Sequence, residues 1–326
     1  MTDLKTKIIN AVGEDLAGVE TALREHLDPQ IDTVGEAAGH ILFAGGKRLR
    51  PLLMILAARL CGYAGSDDYR LSTVFEYLHA ATLLHDDLVD GSDRRRNRRA
   101  AHAVYGNAIA VLVGDFLLAR SLSIAVETGN LKIMAVIAGI TEQMSQGEIH
   151  QLIRKGDESL TEAEYLEVIE RKTAVLIEGA CRVGALLAGA PASDEDALAR
   201  YGHHLGLAFQ MADDLLDYTA ETETLGKTAG ADLAEGKLTL PLIYALEAAD
   251  PTARAQLQAG IRRAARSPSE VAELIRIVAD AGGIDYTRLR AAEHVARART
   301  ALEIFEPGPA RETLSDLAAY ALNRRN

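Results

Sequence analysis

Two clusters of the form DDxxD, Asp86–Asp90 and Asp213–Asp217, each close an apolar stretch, LHAATLLHDDLVD and LGLAFQMADDLLD. On a helix of 3.6 residues per turn Asp86 and Asp90 share a face, as do Asp213 and Asp217, with the middle aspartates beside them. One such cluster in an acidic chain reads as solvated surface. Two of them, each ending a greasy helix face, read as acids at the mouth of an apolar cavity. Clustered carboxylates raise one another's pKa unless a cation compensates them. Hard oxygen ligands of this kind suit Mg²⁺, which keeps several waters and is completed by phosphate oxygens. Two such helices facing each other would clamp a diphosphate.

Composition points to an all-α fold. Apolar residues make up 48% of the 326 residues, with only 8 prolines, 5% aromatics and no Trp, which fits long Ala- and Leu-rich helices better than sheet. No Pro-, Gly- or Ser-rich stretch divides the chain, so residues 1–326 are expected to form a single domain. A formal charge of −12 disfavours nucleic acid as a partner, because that role needs a basic footprint. Cys61 and Cys181, the only cysteines, make neither a disulfide framework nor a zinc site, and a cytoplasmic location is the simplest expectation. The N-terminus carries acids early and does not read as a signal peptide. No transmembrane segment is expected: the apolar run 133–140 is far shorter than the ~20 residues that span a bilayer. Membrane contact would then be peripheral.

Helices are expected at about 3–27, 31–45, 52–60, 70–90, 101–128, 131–154, 161–189, 194–218, 238–248, 251–265, 268–281, 284–304 and 308–323. Gly45-Gly46 breaks the second of these, and Pro51 can open the third because a first-turn residue needs no amide donor. Lys47 and Arg50 then stand at a helix start, ready for an anion. Arg94, Arg95, Arg96, Arg98 and Arg99 follow the first DDxxD. Alone they read as a solvated run, but beside a metal site guanidinium forks could share a phosphate with it. Lys172, Lys227 and Lys237 could add to that phosphate box. His79 lies two turns before Asp86, and Glu76 with His79 makes one ExxH unit, half of what a di-iron bundle needs.

Taken together, GGKRLRP at 45–51, HAATLLHDDLVD at 79–90, Arg95-Arg96, GDFLLARS at 114–121, Lys172-Thr173, FQMADDLLD at 209–217 and GADLAEGKLTLPLI at 230–243 resemble the trans-isoprenyl diphosphate synthases. Within that family the chain looks most like the bacterial long-chain polyprenyl synthases, such as the heptaprenyl and octaprenyl enzymes. The resemblance implies an isoprenoid-synthase-type helical bundle around a deep central cavity, working as a homodimer with three Mg²⁺ ions. Asp86, Asp90 and Asp213 would be the principal metal ligands, with Asp87 and Asp217 binding metal directly or through water. By the same carry-over Lys47, Arg50, His79 and Arg96 would hold isopentenyl diphosphate. Arg95, Lys172, Thr173, Gln210, Lys227 and Lys237 would face the allylic diphosphate.

The implied reaction is successive condensation of isopentenyl diphosphate with farnesyl or geranylgeranyl diphosphate, giving a product of about C35 to C50 for quinone side chains. Ala81 and Thr82 lie roughly 6–8 Å along the helix before Asp86 at ~1.5 Å per residue. In short-chain members an aromatic side chain near this point blocks the tunnel, so small residues imply a longer product. The tunnel floor is expected near Leu117, Ser121 and Ala125. Asn97, where the family commonly has Gly, and the extra arginines 94, 98 and 99 depart from the pattern. Arg324-Arg325 resembles endings seen in the family and reads either as a phosphate contact or as a solvated tail. The alternatives are a geranylgeranyl or other shorter-chain synthase, or a noncatalytic subunit of a heteromeric one.

Overall fold

The computed structural model describes residues 3–95, 98–219, 230–263 and 267–322. Their regular structure is helical apart from one short two-stranded ladder, and the chain divides into two compact units. The first comprises Met1–Thr141, Leu176–Ala199 and Ile304–Asp316; the second comprises Glu142–Val175, Arg200–Glu303 and Leu317–Asn326.

The first unit is built on α4 (Asp68–Val89), which packs against α1 (Leu4–Glu25), α3 (Leu49–Leu60) and α6 (Asn107–Val126). α3 is buried without a break from Pro51 to Ala58, as befits a helix apolar on every side. Within α4, Phe75 and Tyr77 are sealed from solvent, and the Tyr77 hydroxyl donates to the Leu23 carbonyl at 2.8 Å. Gly184, on α9 (Val175–Leu187), lets that helix lie against α3, where a Cβ would come within 2.8 Å of the Ala58 amide. α2 (Asp32–Leu42) ends at Leu42, and the glycine-rich turn after it carries Gly45 at φ +88° and Arg48 at φ +46°. Pro51 is therefore the third residue of α3 and not its opener, a position that still needs no intrahelical donor.

Two departures from the expected helices follow from local chemistry. The segment 101–128 is broken into α5 (Ala101–Tyr105) and α6, because Gly106 takes φ +88° and ψ 155°. The arginine run forms a two-stranded antiparallel ladder, β1 (Arg94–Arg95) with β2 (Arg98–Arg99), pairing Arg94 with Arg99 and Arg95 with Arg98.

One helix, packed against α4 in the first unit, meets the length and composition of a membrane span, as core helices also do. Asn107–Glu127 is long and apolar enough to cross a membrane by length and composition, with a mean hydropathy of 1.9 and 39% of its window buried. Asp115 and Arg120 interrupt every unbroken apolar run, so scanning for runs misses it, although the window average stays high.

The second unit takes the end of α7 (Leu131–Ile153), then α8 (Glu162–Ile169), a π-helical turn at Glu170–Ala174, and most of α10 (Ala192–Thr219). It continues with α11 (Ala231–Glu235), α12 (Leu240–Ala248), α13 (Pro251–Arg262), α14 (Pro268–Asp280), α15 (Gly283–Ala301) and the end of α16 (Pro309–Leu322). Its starts are written locally. Thr161 with Glu164 and Ser267 with Glu270 form capping boxes at α8 and α14, and Asp250 caps α13 ahead of Pro251. α12 is the buried centre, contributing Leu240, Leu242, Ile243, Ala245 and Leu246 to the core.

Candidate active site

In the first unit, Asp86 and Asp90 are half-buried on one face at the C-terminal end of α4. Asp87, a hundred degrees round the helix, is buried at 3% exposure, and its Oδ1 accepts from Arg95 Nε at 2.8 Å. Burial raises the Asp87 pKa, and the Arg95 guanidinium opposes that rise. Asp87 thus anchors β1 and fixes where Arg95 sits. His85 packs its ring on Gly114, where a Cβ would fall 2.8 Å from the ring carbon Cδ2, and its Nε2 lies 3.2 Å from the Val111 carbonyl. That contact explains the glycine of GDFLLARS.

The basic cluster at 47–50 is split by burial. Arg48 is 4% exposed and donates to Glu20 at 2.5 Å, to Glu76 at 2.6 Å and to the Leu42 carbonyl at 2.6 Å. It is structural, and it occupies the glutamate of the ExxH unit, which removes the di-iron reading. Lys47 is exposed and Arg50 half-buried in the first turn of α3. His79 is half-buried on α4, and Thr82 spends its hydroxyl on the His79 carbonyl at 2.8 Å. Ala81, Leu117, Ser121 and Ala125 are all buried. Arg96, Asn97, Lys227, Arg324 and Arg325 lie outside the described residues.

In the second unit a cavity of about 190 Å³ gathers Lys172, Thr173, Gln210, Asp214, Asp232 and Lys237 in its lining. Four of the six residues expected at the allylic diphosphate therefore share one pocket. Lys172 and Thr173 enter it from the π-helical turn, which lies against α7 and α10 at two glycines. A Cβ on Gly147 would come within 2.8 Å of the Lys172 amide nitrogen, and one on Gly206 within 2.5 Å of the Ala174 Cα. Lys172 Nζ pairs with Glu148 and donates to Gln151 Oε1 at 2.7 Å; Lys237 pairs with Glu235 at 2.8 Å.

The second DDxxD divides as the first does. Asp213 is half-buried, whereas Asp214 is 4% exposed and accepts from Tyr165 at 2.6 Å and from Gln210 at 2.8 Å. Burial, then the Asp232 carboxylate, raises the Asp214 pKa. Asp217 takes the Ala231 amide on one oxygen at 2.9 Å and the Asp232 amide on the other at 3.1 Å. It ties α10 to the start of α11 and so holds the GADLAEGK segment beside the pocket.

Sequence reasoning missed Tyr165 and the inward role of Asp214. Spacing could not reveal their pairing, because the π-helical turn at Glu170–Ala174 breaks the α-helical register that follows Tyr165, and Asp214 is distant in sequence.

Among the described residues no cluster of three or more His, Cys, Asp or Glu side chains stands ready-made for a metal ion. Asp86, Asp90 and Asp213 are hard oxygen donors that fit Mg²⁺ only if water or substrate oxygens complete its shell, which is how Mg²⁺ is usually held.

A profile of the polyprenyl synthetase family matches residues 31–278. The chain is 40% identical to octaprenyl diphosphate synthase of Escherichia coli over 98% of each chain, and 37% identical to heptaprenyl diphosphate synthase component 2 of Geobacillus stearothermophilus over 95% of each. Among solved structures, polyprenyl synthase from Caulobacter crescentus, complexed with calcium and isoprenyl diphosphate, superposes with a TM-score of 0.93 at 40% identity, covering 99% of this chain and 98% of that one.

Proposed function

The chain belongs to the polyprenyl synthetase family and is a long-chain trans-polyprenyl diphosphate synthase, and we propose that residues 1–326 act as one catalytic domain whose second-unit pocket takes the allylic diphosphate. The observation that carries this reading is the convergence of Lys172, Thr173, Gln210 and Lys237 on one cavity, two ammonium groups beside a hydroxyl and an amide. That set suits a diphosphate, whose charge grows as the allylic C–O bond breaks, so donors fixed in advance favour the transition state over the ground state. The family resemblance assigns Lys227 and Arg95 to the same substrate, and Asp87 fixes the orientation of Arg95.

Lys47, Arg50, His79 and Arg96 hold isopentenyl diphosphate and orient its double bond toward the allylic carbon. Asp86, Asp90 and Asp213 would hold divalent cations, with Asp87 and Asp217 contributing directly or through water, and three Mg²⁺ would make the full complement. Bound Mg²⁺ supplies Lewis-acid stabilisation of the leaving diphosphate. Apolar walls around Ala81, Leu117 and Ala125 keep water from the allylic cation and receive the growing tail. The proton lost on condensation passes to the released diphosphate. Small residues at Ala81 and Thr82 support a product of about C35 to C50, a length suited to quinone side chains.

Homodimerisation is supported by α6 and the start of α7, which expose Val111, Leu112, Val126 and Leu131. A separate apolar pair, the exposed Ile149 and Ile153 on α7, offers peripheral membrane contact for product release, and the location that fits is the cytoplasm. One preparation tests the assignment. The protein should sediment as two chains and condense the two diphosphates only with a divalent cation present. Asp86→Ala should lower kcat at least a hundredfold, against a much smaller loss for a surface control such as Asp280→Ala. Metal-independent turnover, or an Asp86→Ala enzyme of unchanged rate, would contradict the metal assignment.

A further inference from the structure

Behind the diphosphate ligands of the second-unit pocket runs a chain of hydrogen bonds that starts on a residue with no ligand role of its own. Tyr165, on α8 and 3% exposed, donates to Asp214 Oδ2 at 2.6 Å. The other oxygen, Oδ1, accepts from Gln210 Nε2 at 2.8 Å, and Gln210 Oε1 accepts from Thr173 Oγ1 at 2.9 Å. Each link constrains the next. A carboxylate can only accept, so it draws the amide end of Gln210 toward itself and leaves the carbonyl end for Thr173. Gln210 has two amide hydrogens, of which Asp214 takes one, so the other is available to a ligand in the pocket. Without Asp214 the amide could flip and present its carbonyl to the incoming diphosphate, where oxygen faces oxygen.

Tyr165 sets the carboxylate in turn. Tyr165 and Gln210 bind different oxygens of Asp214, which fixes the rotation of the carboxylate and with it the direction in which Oδ1 receives Gln210. Tyr165 lines the cavity together with Thr173 and Gln210, so the whole relay borders the space that a ligand would enter.

We propose that Tyr165 is a positioning residue for the allylic diphosphate, acting through Asp214 to hold the amide of Gln210 with its free N–H toward the ligand, while Thr173 occupies the Gln210 carbonyl. This rests on the allylic reading of the pocket, and the experiment separates the two. Tyr165→Phe keeps the ring and removes only the donor. It should raise KM for farnesyl diphosphate about tenfold, a loss in keeping with one hydrogen bond to a charged group, and leave KM for isopentenyl diphosphate within about twofold. In a Gln210→Ala background the same change should add less than about twofold, because its effect passes through Gln210.

Lys172→Ala is the control for the pocket. If it raises the allylic KM while Tyr165→Phe does not, the positioning role is wrong and the pocket reading stands. If Lys172→Ala leaves the allylic KM unchanged, the pocket reading fails and the proposal falls with it. A purely structural tyrosine would move both KM values together, or add its full effect in the Gln210→Ala background, and either result overturns the proposal. Should Tyr165→Phe not fold, Asp214→Asn breaks the same relay while staying polar and isosteric, and it must show the same selective rise.

Discussion

At the scale of single residues, the two DDxxD clusters contain two kinds of aspartate. Asp86, Asp90 and Asp213 stay half-buried, while Asp87 and Asp214 turn inward at 3% and 4% exposure to hold Arg95 in one case and Tyr165 and Gln210 in the other. Helical spacing makes the division legible, since the middle residue of DDxxD cannot share a face with the outer two. The partners were not legible, because Tyr165 and Asp214 are far apart in sequence and meet only through packing. A second pair of this kind is His204 and His294, whose Nδ1 atoms lie 3.1 Å apart. Burial pushes both down to about 4, and neighbouring His203, Arg200, Arg290 and Arg297 push the same way. Above pH 6.5 both states of the chain are neutral at these sites. Between about 6.5 and 4 the unfolded chain takes up protons that the folded one refuses, so stability falls as pH falls through that window. By pH 5, about 1.5 units below the ordinary value, the loss should reach ~2 kcal/mol for each histidine, with one pKa unit worth ~1.4 kcal/mol. Thermal melts at pH 7 and pH 5 check it: His204→Gln should lose less stability than the parent, and equal losses would show that the pair carries no such linkage.

At the scale of elements, most of the helices were readable from apolar periodicity, glycine breaks and capping residues, and the irregular ones were not. The π-helical turn at Glu170–Ala174 interrupts what periodicity reads as a single helix over 161–189. Nothing local demands it, and the glycines that accommodate it lie elsewhere in the chain, Gly147 on α7 and Gly206 on α10. The pairing of Arg94–Arg95 with Arg98–Arg99 escaped for a related reason: an arginine run has no apolar alternation, and β1 is fixed by Asp87 from the preceding helix. Gly147→Ala should test the turn. Its Cβ would meet the Lys172 amide nitrogen at 2.8 Å and the Arg171 carbonyl carbon at 3.0 Å, backbone atoms that cannot swing aside. Overpacking of this kind costs about 1–3 kcal/mol, and here relief requires moving the turn that carries Lys172 and Thr173. The expected result is a lowered Tm together with a raised KM for the allylic substrate. A Gly147→Ala enzyme with an unaltered allylic KM would mean that the turn does not set the position of Lys172.

At the scale of the whole molecule, family and reaction class were legible because motif residues spread over most of the chain, from Gly45 to Ile243, all point to the same chemistry. Product length is a different kind of property, set by how far an apolar tail can extend before a side chain stops it. Small side chains at Ala81 and Thr82 speak to that directly, and Ala81 is buried on α4, so enlarging it fills interior space. Purified protein should therefore be given Mg²⁺, farnesyl diphosphate and labelled isopentenyl diphosphate, and its products separated by length beside those of Ala81→Phe. The parent should build a ladder ending between about C35 and C50, and Ala81→Phe should stop short of it. A parent that halts at C15 or C20, or a variant whose ladder is unchanged, would contradict the account.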